Sequence, residues 1–214
     1  MAAGASGAAV TRDEPFELHF LGELDLGELF PDVSQSEGLC VDYAAHAGPG
    51  WLPIAKDEGF VGQTQTAYAD AAGVFVFSHP IELHYMGSRL EEWPQLHLQV
   101  LKLDAVGRIQ TISFGSVSLP TSPGHSELVC RTWAPVGASL LQENTNLAAA
   151  TAGQSSSTLL AARAEILSNK LPEERSKMVT KRSGIVRLEL DTIFRNAEPH
   201  RILMMPKRGA AAGA

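Results

Sequence analysis

From Phe16 onward, apolar and polar positions alternate: Phe16, Leu18 and Phe20 are interleaved with Glu17, His19 and Leu21, and the run closes at Gly22-Glu23-Leu24. A period of two marks a strand with one buried face. Similar short runs recur at 39–43, 63–66, 74–77, 81–85, 96–100, 109–119 and 128–130. Turn formers separate them: Gly48-Pro49-Gly50, Gly73, His79-Pro80, Trp93-Pro94, Gly107, Pro120 and Ser122-Pro123-Gly124. Asp104-Ala105-Val106-Gly107, between two alternating runs, predicts a hairpin in which Gly107 takes positive φ. Short strands at this spacing, with almost no helical period, predict an all-β chain: an antiparallel β-sandwich of about eight strands.

The alternation breaks near residue 138. Positions 138–158 are rich in Ala, Ser, Thr, Asn and Gln and predict a loop. Within 158–167, Leu159, Ala162 and Ile166 share one side at helical spacing, which predicts a short amphipathic helix that Pro172 prevents from continuing. Alternation returns at 185–194, with Val186, Leu188, Leu190 and Phe194 on the buried face and Arg187, Glu189 and Asp191 opposite. The expected organisation is therefore a flexible tail over 1–14, one domain over 15–196 and a flexible tail over 197–214. A partly helical basic insertion at about 138–183 interrupts the domain.

Composition supports a packed core and narrows the partners. With 214 residues, 44% hydrophobic and 19% charged, the chain has enough apolar surface for one domain with appendages. No apolar run approaches the roughly 18 residues of a membrane span. The first ten residues lack a basic n-region and a long apolar segment, so a secretory signal is not expected. Two distant cysteines, Cys40 and Cys130, exclude a disulfide framework and a cysteine-rich zinc site, and fit a reducing, cytoplasmic compartment. The net charge of −7 divides unevenly: residues 1–104 carry 4 Lys/Arg against 16 Asp/Glu, and residues 105–214 carry 13 against 8. Balances of −12 and +5 leave an acidic front half, which argues against nucleic acid as a partner. Positive charge gathers at Arg163, Lys170, Arg175, Lys177, Lys181 and Arg182. Such a run keeps an insertion solvated, or else contacts anionic lipid or an acidic partner surface.

Chemistry-bearing patterns are sparse. Phosphate-binding, dinucleotide-binding, zinc-protease and nucleophile-elbow motifs do not occur. His79, His84 and His97 are the sharpest metal candidates, but alternation places His84 and His97 on the polar faces of their strands, so solvated or hydrogen-bonded strand histidines are expected. Glu91-Glu92 is expected to be a solvated turn rather than a carboxylate pair. Ser116 and Ser118 lack a base at a known distance. The eight aspartates are dispersed without an Asp-x-Asp pair, unlike a calcium site on loop tips. No catalytic, cofactor or metal residue is assigned, and an enzyme is not expected.

An ordered set of residues nevertheless resembles one family. Gly62-Gln63-Thr64-Gln65 is followed by Ser78-His79-Pro80-Ile81, Trp93-Pro94-Gln95-Leu96-His97 and Asp104-Ala105-Val106-Gly107-Arg108. Phe114-Gly115, Leu119-Pro120, Ser122-Pro123-Gly124-His125 and Cys130-Arg131-Thr132-Trp133-Ala134-Pro135 complete it. In this order they resemble the B9-domain family. Ser113-Phe114-Gly115 departs from it, standing where the family usually carries Gly-Tyr-Gly. The resemblance implies a C2-like sandwich without calcium ligands, acting at the ciliary transition zone and basal body. It further implies association with the other two B9-domain proteins, within a Meckel-syndrome module that includes tectonic and coiled-coil proteins. That module supports ciliogenesis and gates membrane proteins into the cilium. Physically, Gln63, Pro80, Trp93, Pro94, Gly107, Gly115, Pro123, Gly124, Trp133 and Pro135 are first of all turn and packing residues. Trp133 could equally be an exposed anchor. The alternative function is a calcium-independent phospholipid-binding module using the basic run or loop tips such as Trp51-Leu52.

Overall fold

The computed structural model describes residues 15–54, 60–135 and 180–197. The N-terminal tail, the loop and helix expected over 138–179, and the tail beyond 197 lie outside the described residues, with Arg163, Lys170, Arg175 and Lys177. Among the described residues there are ten strands and no helix.

The period-two run at the start becomes β1 (Phe16–Glu28), with Phe16, Leu18, Phe20 and Leu24 turned into the core. It is flanked by β6 (Phe75–Gly87) on one side and β10 (Thr180–Arg195) on the other, both antiparallel. The full order is β3-β6-β1-β10-β9-β8-β7-β2-β4, where β2 is Gly38–His46, β3 Trp51–Pro53, β4 Val61–Gln63, β7 Gln95–Leu103, β8 Ile109–Ser118 and β9 Gly124–Pro135. A two-residue β5 (Ala67–Tyr68) also pairs with β2. The sheet curls on itself into a C2-like sandwich. β6, β1, β10 and β9 form one layer, β8, β7 and β2 the other, and Phe114 paired with Trp133 links β8 to β9. Leu18, Phe20, Phe77, Leu83, Leu96, Leu98, Val100, Leu188 and Leu190 fill the space between them.

Several expectations change in detail. The runs at 74–77 and 81–85 form a single strand, because His79-Pro80 does not turn the chain. Instead β6 bulges there: Leu24 faces His79 while Leu26 faces Val76, and Ser78 takes φ 41°. Pro80 stays within the paired strand, opposite Glu23 of β1. The run at 63–66 is split, so that Thr64, Gln65 and Thr66 connect β4 to β5. The last strand begins at Thr180, ahead of the 184 expected, so Lys181 and Arg182 lie on β10 opposite Ala134 and Trp133. The 104–107 hairpin forms as predicted, Gly107 at φ 83° with Asp104 Oδ1 accepting from the N–H groups of Val106 and Arg108.

The central strands of the second layer are buried on both faces. Cys40, Asp42 and Ala44 of β2, and His97, Gln99 and Leu101 of β7, point away from the core and are still buried. His97 therefore does not occupy the polar strand face that simple alternation predicts. Trp51, expected at an exposed loop tip, is also buried, although its neighbour Leu52 is exposed.

Candidate functional site

The family-like residues map onto two sets of stitches across the sandwich. Gly62-Gln63-Thr64-Gln65 forms the first. Gly62 packs against the Tyr43 ring so closely that a Cβ would collide with it. The Gln63 amide donates to Asp42 Oδ1 at 2.6 Å, giving a partner to a carboxylate otherwise withdrawn from water. Thr64 and Val41 exchange bonds, the Val41 N–H donating to Thr64 Oγ1 and the Thr64 N–H to the Val41 carbonyl. The Gln65 amide then reaches across to the Phe77 carbonyl of β6 at 3.0 Å. Tyr43 Oη approaches His79 Nε2 at 3.4 Å, so Ser78-His79-Pro80 joins the same seam.

Trp93 and Pro94 anchor the second set. The Trp93 indole donates to the Leu119 carbonyl, and the Leu119 N–H donates to the Pro94 carbonyl, both at 3.0 Å. Trp93 meets Trp51 edge-on at 5.0 Å between ring centroids, and Trp51 in turn meets Phe16 and Tyr85 edge-on. This geometry suits the ring quadrupoles and explains why Trp51 is drawn inside. Trp133 is half-buried against Phe114. Gly115 allows a close approach: a Cβ there would stand 2.6 Å from Cys130 Sγ. Thr132 Oγ1 accepts from the Gly184 N–H and donates to the Gly184 carbonyl, bridging β9 to β10 where their register shifts. Ser113, at the departure from Gly-Tyr-Gly, is fully buried and its hydroxyl has no partner. Gly124 starts β9 at φ 95°, just after Pro123, and Pro135 ends that strand.

Of the basic residues within the described set, Lys181 pairs with Asp32 at 2.6 Å and Arg182 is exposed. The three histidines weighed as a metal set do not come together. His79 turns to Tyr43, and His97 lies in the other layer, 6.0 Å from the His46 ring. Both ring nitrogens of His97 lack hydrogen-bond partners, and burial, reinforced by His46, pushes its pKa down to about 4. Burial likewise raises the Cys40 thiol to about 11 and that of Cys130 to about 12.

A different group forms around His84. β1 and β6 place His19 directly opposite His84, and Glu17 lies two residues along on the same face. The two imidazoles stack with centroids 3.5 Å apart and planes 24° from parallel. Glu17 Oε2 is 3.6 Å from His19 Nε2, 3.5 Å from His84 Nε2 and 3.3 Å from Arg195 Nη1. Burial works to raise the Glu17 pKa, but Arg195 and the imidazoles outweigh it and hold the carboxyl below its ordinary value. Burial and the neighbouring His19 lower His84, with Glu17 opposing them. Within-strand spacing gives no sign of this group. Only the β1–β6 register, which the sequence leaves open, creates it.

Comparison with known proteins adds to this geometry. The sequence profile described as "B9-C2: Ciliary basal body-associated, B9 protein" matches residues 18–193. The chain is 37% identical to B9 domain-containing protein 2 of Danio rerio over 121 residues, covering 56% of this chain and 66% of that protein. It is 34% identical to B9 domain-containing protein 2 of Homo sapiens over 121 residues, with the same coverage of 56% and 66%. To B9 domain-containing protein 1 of Mus musculus it is 27% identical over 131 residues, covering 61% and 62%. These matches span just under two thirds of the relatives' own length.

Proposed function

The chain belongs to the B9 family of ciliary basal body-associated proteins, and on that premise we propose that it is a non-enzymatic structural subunit of the ciliary transition zone. In this reading it assembles with the other two B9-domain proteins in a Meckel-syndrome, tectonic-containing complex that supports ciliogenesis and the ciliary gate. The observation that carries the reading is the extent of the match, which runs from β1 into β10 and so takes in the whole sandwich. The unit shared with the relatives is a folded scaffold, and its signature side chains hold strands together: Gln63 on Asp42, Gln65 on Phe77, Trp93 on Leu119.

Attachment to phospholipid is the alternative: Trp51, one of its loop-tip contacts, sits in the core, whereas Lys181 and Arg182 are exposed on β10. Assembly is the reading we put to the test. Affinity capture of a tagged chain co-expressed with the two other B9-domain proteins of the same organism tests it. Retention of both proteins through a salt wash is the expected result. Loss of both, with all three proteins folded, refutes assembly.

A further inference from the structure

We propose that Glu17, His19 and His84 form a zinc site with a fourth position open to water, clamping β1 to β6 on the outer face of the first layer. The donor set comes first. Two imidazoles and one carboxylate make a familiar set for Zn²⁺, which takes nitrogen and oxygen ligands at about 2.0–2.2 Å in tetrahedral arrangement. Distance comes next. Two ligands of a tetrahedron with arms of about 2.05 Å stand about 3.35 Å apart. Glu17 Oε2 already lies 3.6 Å from His19 Nε2 and 3.5 Å from His84 Nε2. All three donor atoms fall within 4.8 Å of one another, and the stacked imidazoles must turn apart for both Nε2 lone pairs to meet one ion.

The His84 ring supplies an independent reason. Its Nε2 is shielded from solvent and makes no hydrogen bond, its contact with Glu17 at 3.5 Å being too long for a good one. A buried polar nitrogen without a partner is costly, and a metal ion would satisfy it. The backbone supports the site as well. The ligands sit on two paired strands rather than on loops, with His19 and His84 in direct register, so binding would reorder little chain.

Arg195 is the competitor. Its Nη1 lies 3.3 Å from the same Glu17 oxygen that the ion needs, but its side chain is 69% exposed and free to move aside. Glu82 also acts on His84 and adds negative charge to this face. The arrangement thus gives variants of opposite sign. Removing a ligand weakens zinc binding, while removing Arg195 strengthens it.

The test is titration calorimetry of the full chain, stripped with chelator and titrated with zinc chloride near pH 7.4. Cobalt(II) absorption follows as a readout of coordination geometry. One zinc per chain is expected, with a tetrahedral cobalt spectrum. His84→Gln and His19→Gln should each weaken binding by at least about tenfold, as loss of one of three ligands implies. Glu17→Gln should do likewise, and Arg195→Ala should tighten binding. His125→Ala, on an exposed histidine elsewhere, is the control and should leave affinity unchanged. Circular dichroism establishes that each variant folds, and should one histidine variant fail to fold, the Glu17→Gln and Arg195→Ala pair still decides. Absence of saturable zinc binding overturns the proposal. Equal binding by the wild type and the folded ligand variants overturns it too, by placing the ion elsewhere.

Discussion

Replacing His97 with leucine should flatten the acid sensitivity of this fold. His97 is fully buried on the outer side of β7 with both ring nitrogens unpartnered, and its pKa is pushed down to about 4. An unfolded chain protonates the same imidazole near pH 6.5. Between those values the unfolded state binds more protons than the folded one, so stability must fall as the pH drops through the window. The contribution is fully present above about pH 6.5 and lost progressively down to about pH 4. From pH 7 to pH 5 the linkage amounts to about 2 kcal/mol from this single group. With a urea dependence of about 2 kcal/mol per molar, the unfolding midpoint should fall by about 1 M between those two pH values. His79 and His84, also lowered by burial, add to the loss in the same direction. The comparison with His97→Leu isolates the term: the variant should lose about 2 kcal/mol less than the wild type over that interval. Urea unfolding followed by tryptophan fluorescence at both pH values is the assay. Equal losses in the two proteins would refute the assignment of the acid sensitivity to His97.

Three further perturbations probe the stitches of the sandwich. Gly115→Ala drives a methyl group to 2.6 Å from Cys130 Sγ and should cost about 1–3 kcal/mol by overpacking, seen as a lower thermal midpoint. Adding Cys130→Ala should recover part of that loss, so the double variant is better than the sum of the two, whereas strict additivity would mean that the two side chains do not meet. Ser113→Ala removes a buried hydroxyl without a partner and should raise stability by about 1 kcal/mol, whereas a clear destabilisation would mean that the hydroxyl is bonded. Cys40 and Cys130, buried and with thiols raised to about 11 and about 12, should resist Ellman's reagent at pH 8 until urea unfolds the chain. Rapid reaction of either thiol in the native protein contradicts this burial.

The class of the fold was legible because its strands obey the simple alternation of one buried face. Phe16, Leu18 and Phe20 in β1 and Val186, Leu188 and Leu190 in β10 declare themselves in this way. Alternation misplaced His97 because β7 lies in a layer buried on both faces, where the period of two carries no information about exposure. His79-Pro80 looked like a turn because proline and its neighbour are turn formers locally, but a bulge on β6 absorbs them. Trp51 looked like a loop-tip anchor because nothing in its immediate sequence marks the edge-on contacts with Phe16, Tyr85 and Trp93 that bury it. The candidate site was the least legible feature. Glu17 and His19 are 65 or more positions from His84, and only the pairing of β1 with β6 makes them neighbours. The signature residues, by contrast, were recognisable as a set, and the structure shows the bonds that Gln63, Gln65 and Trp93 among them make.

The most direct test of the account is the mass of the purified assembly in light scattering coupled to size exclusion. Alone, this chain should elute as a folded species of 22.9 kDa or a small multiple of it. Mixed with the other two B9-domain proteins, it should enter a single peak whose mass equals the sum of the three chains in fixed proportion. Three separate peaks, each at the mass of its own protein, would contradict a scaffold that works by joining related sandwiches.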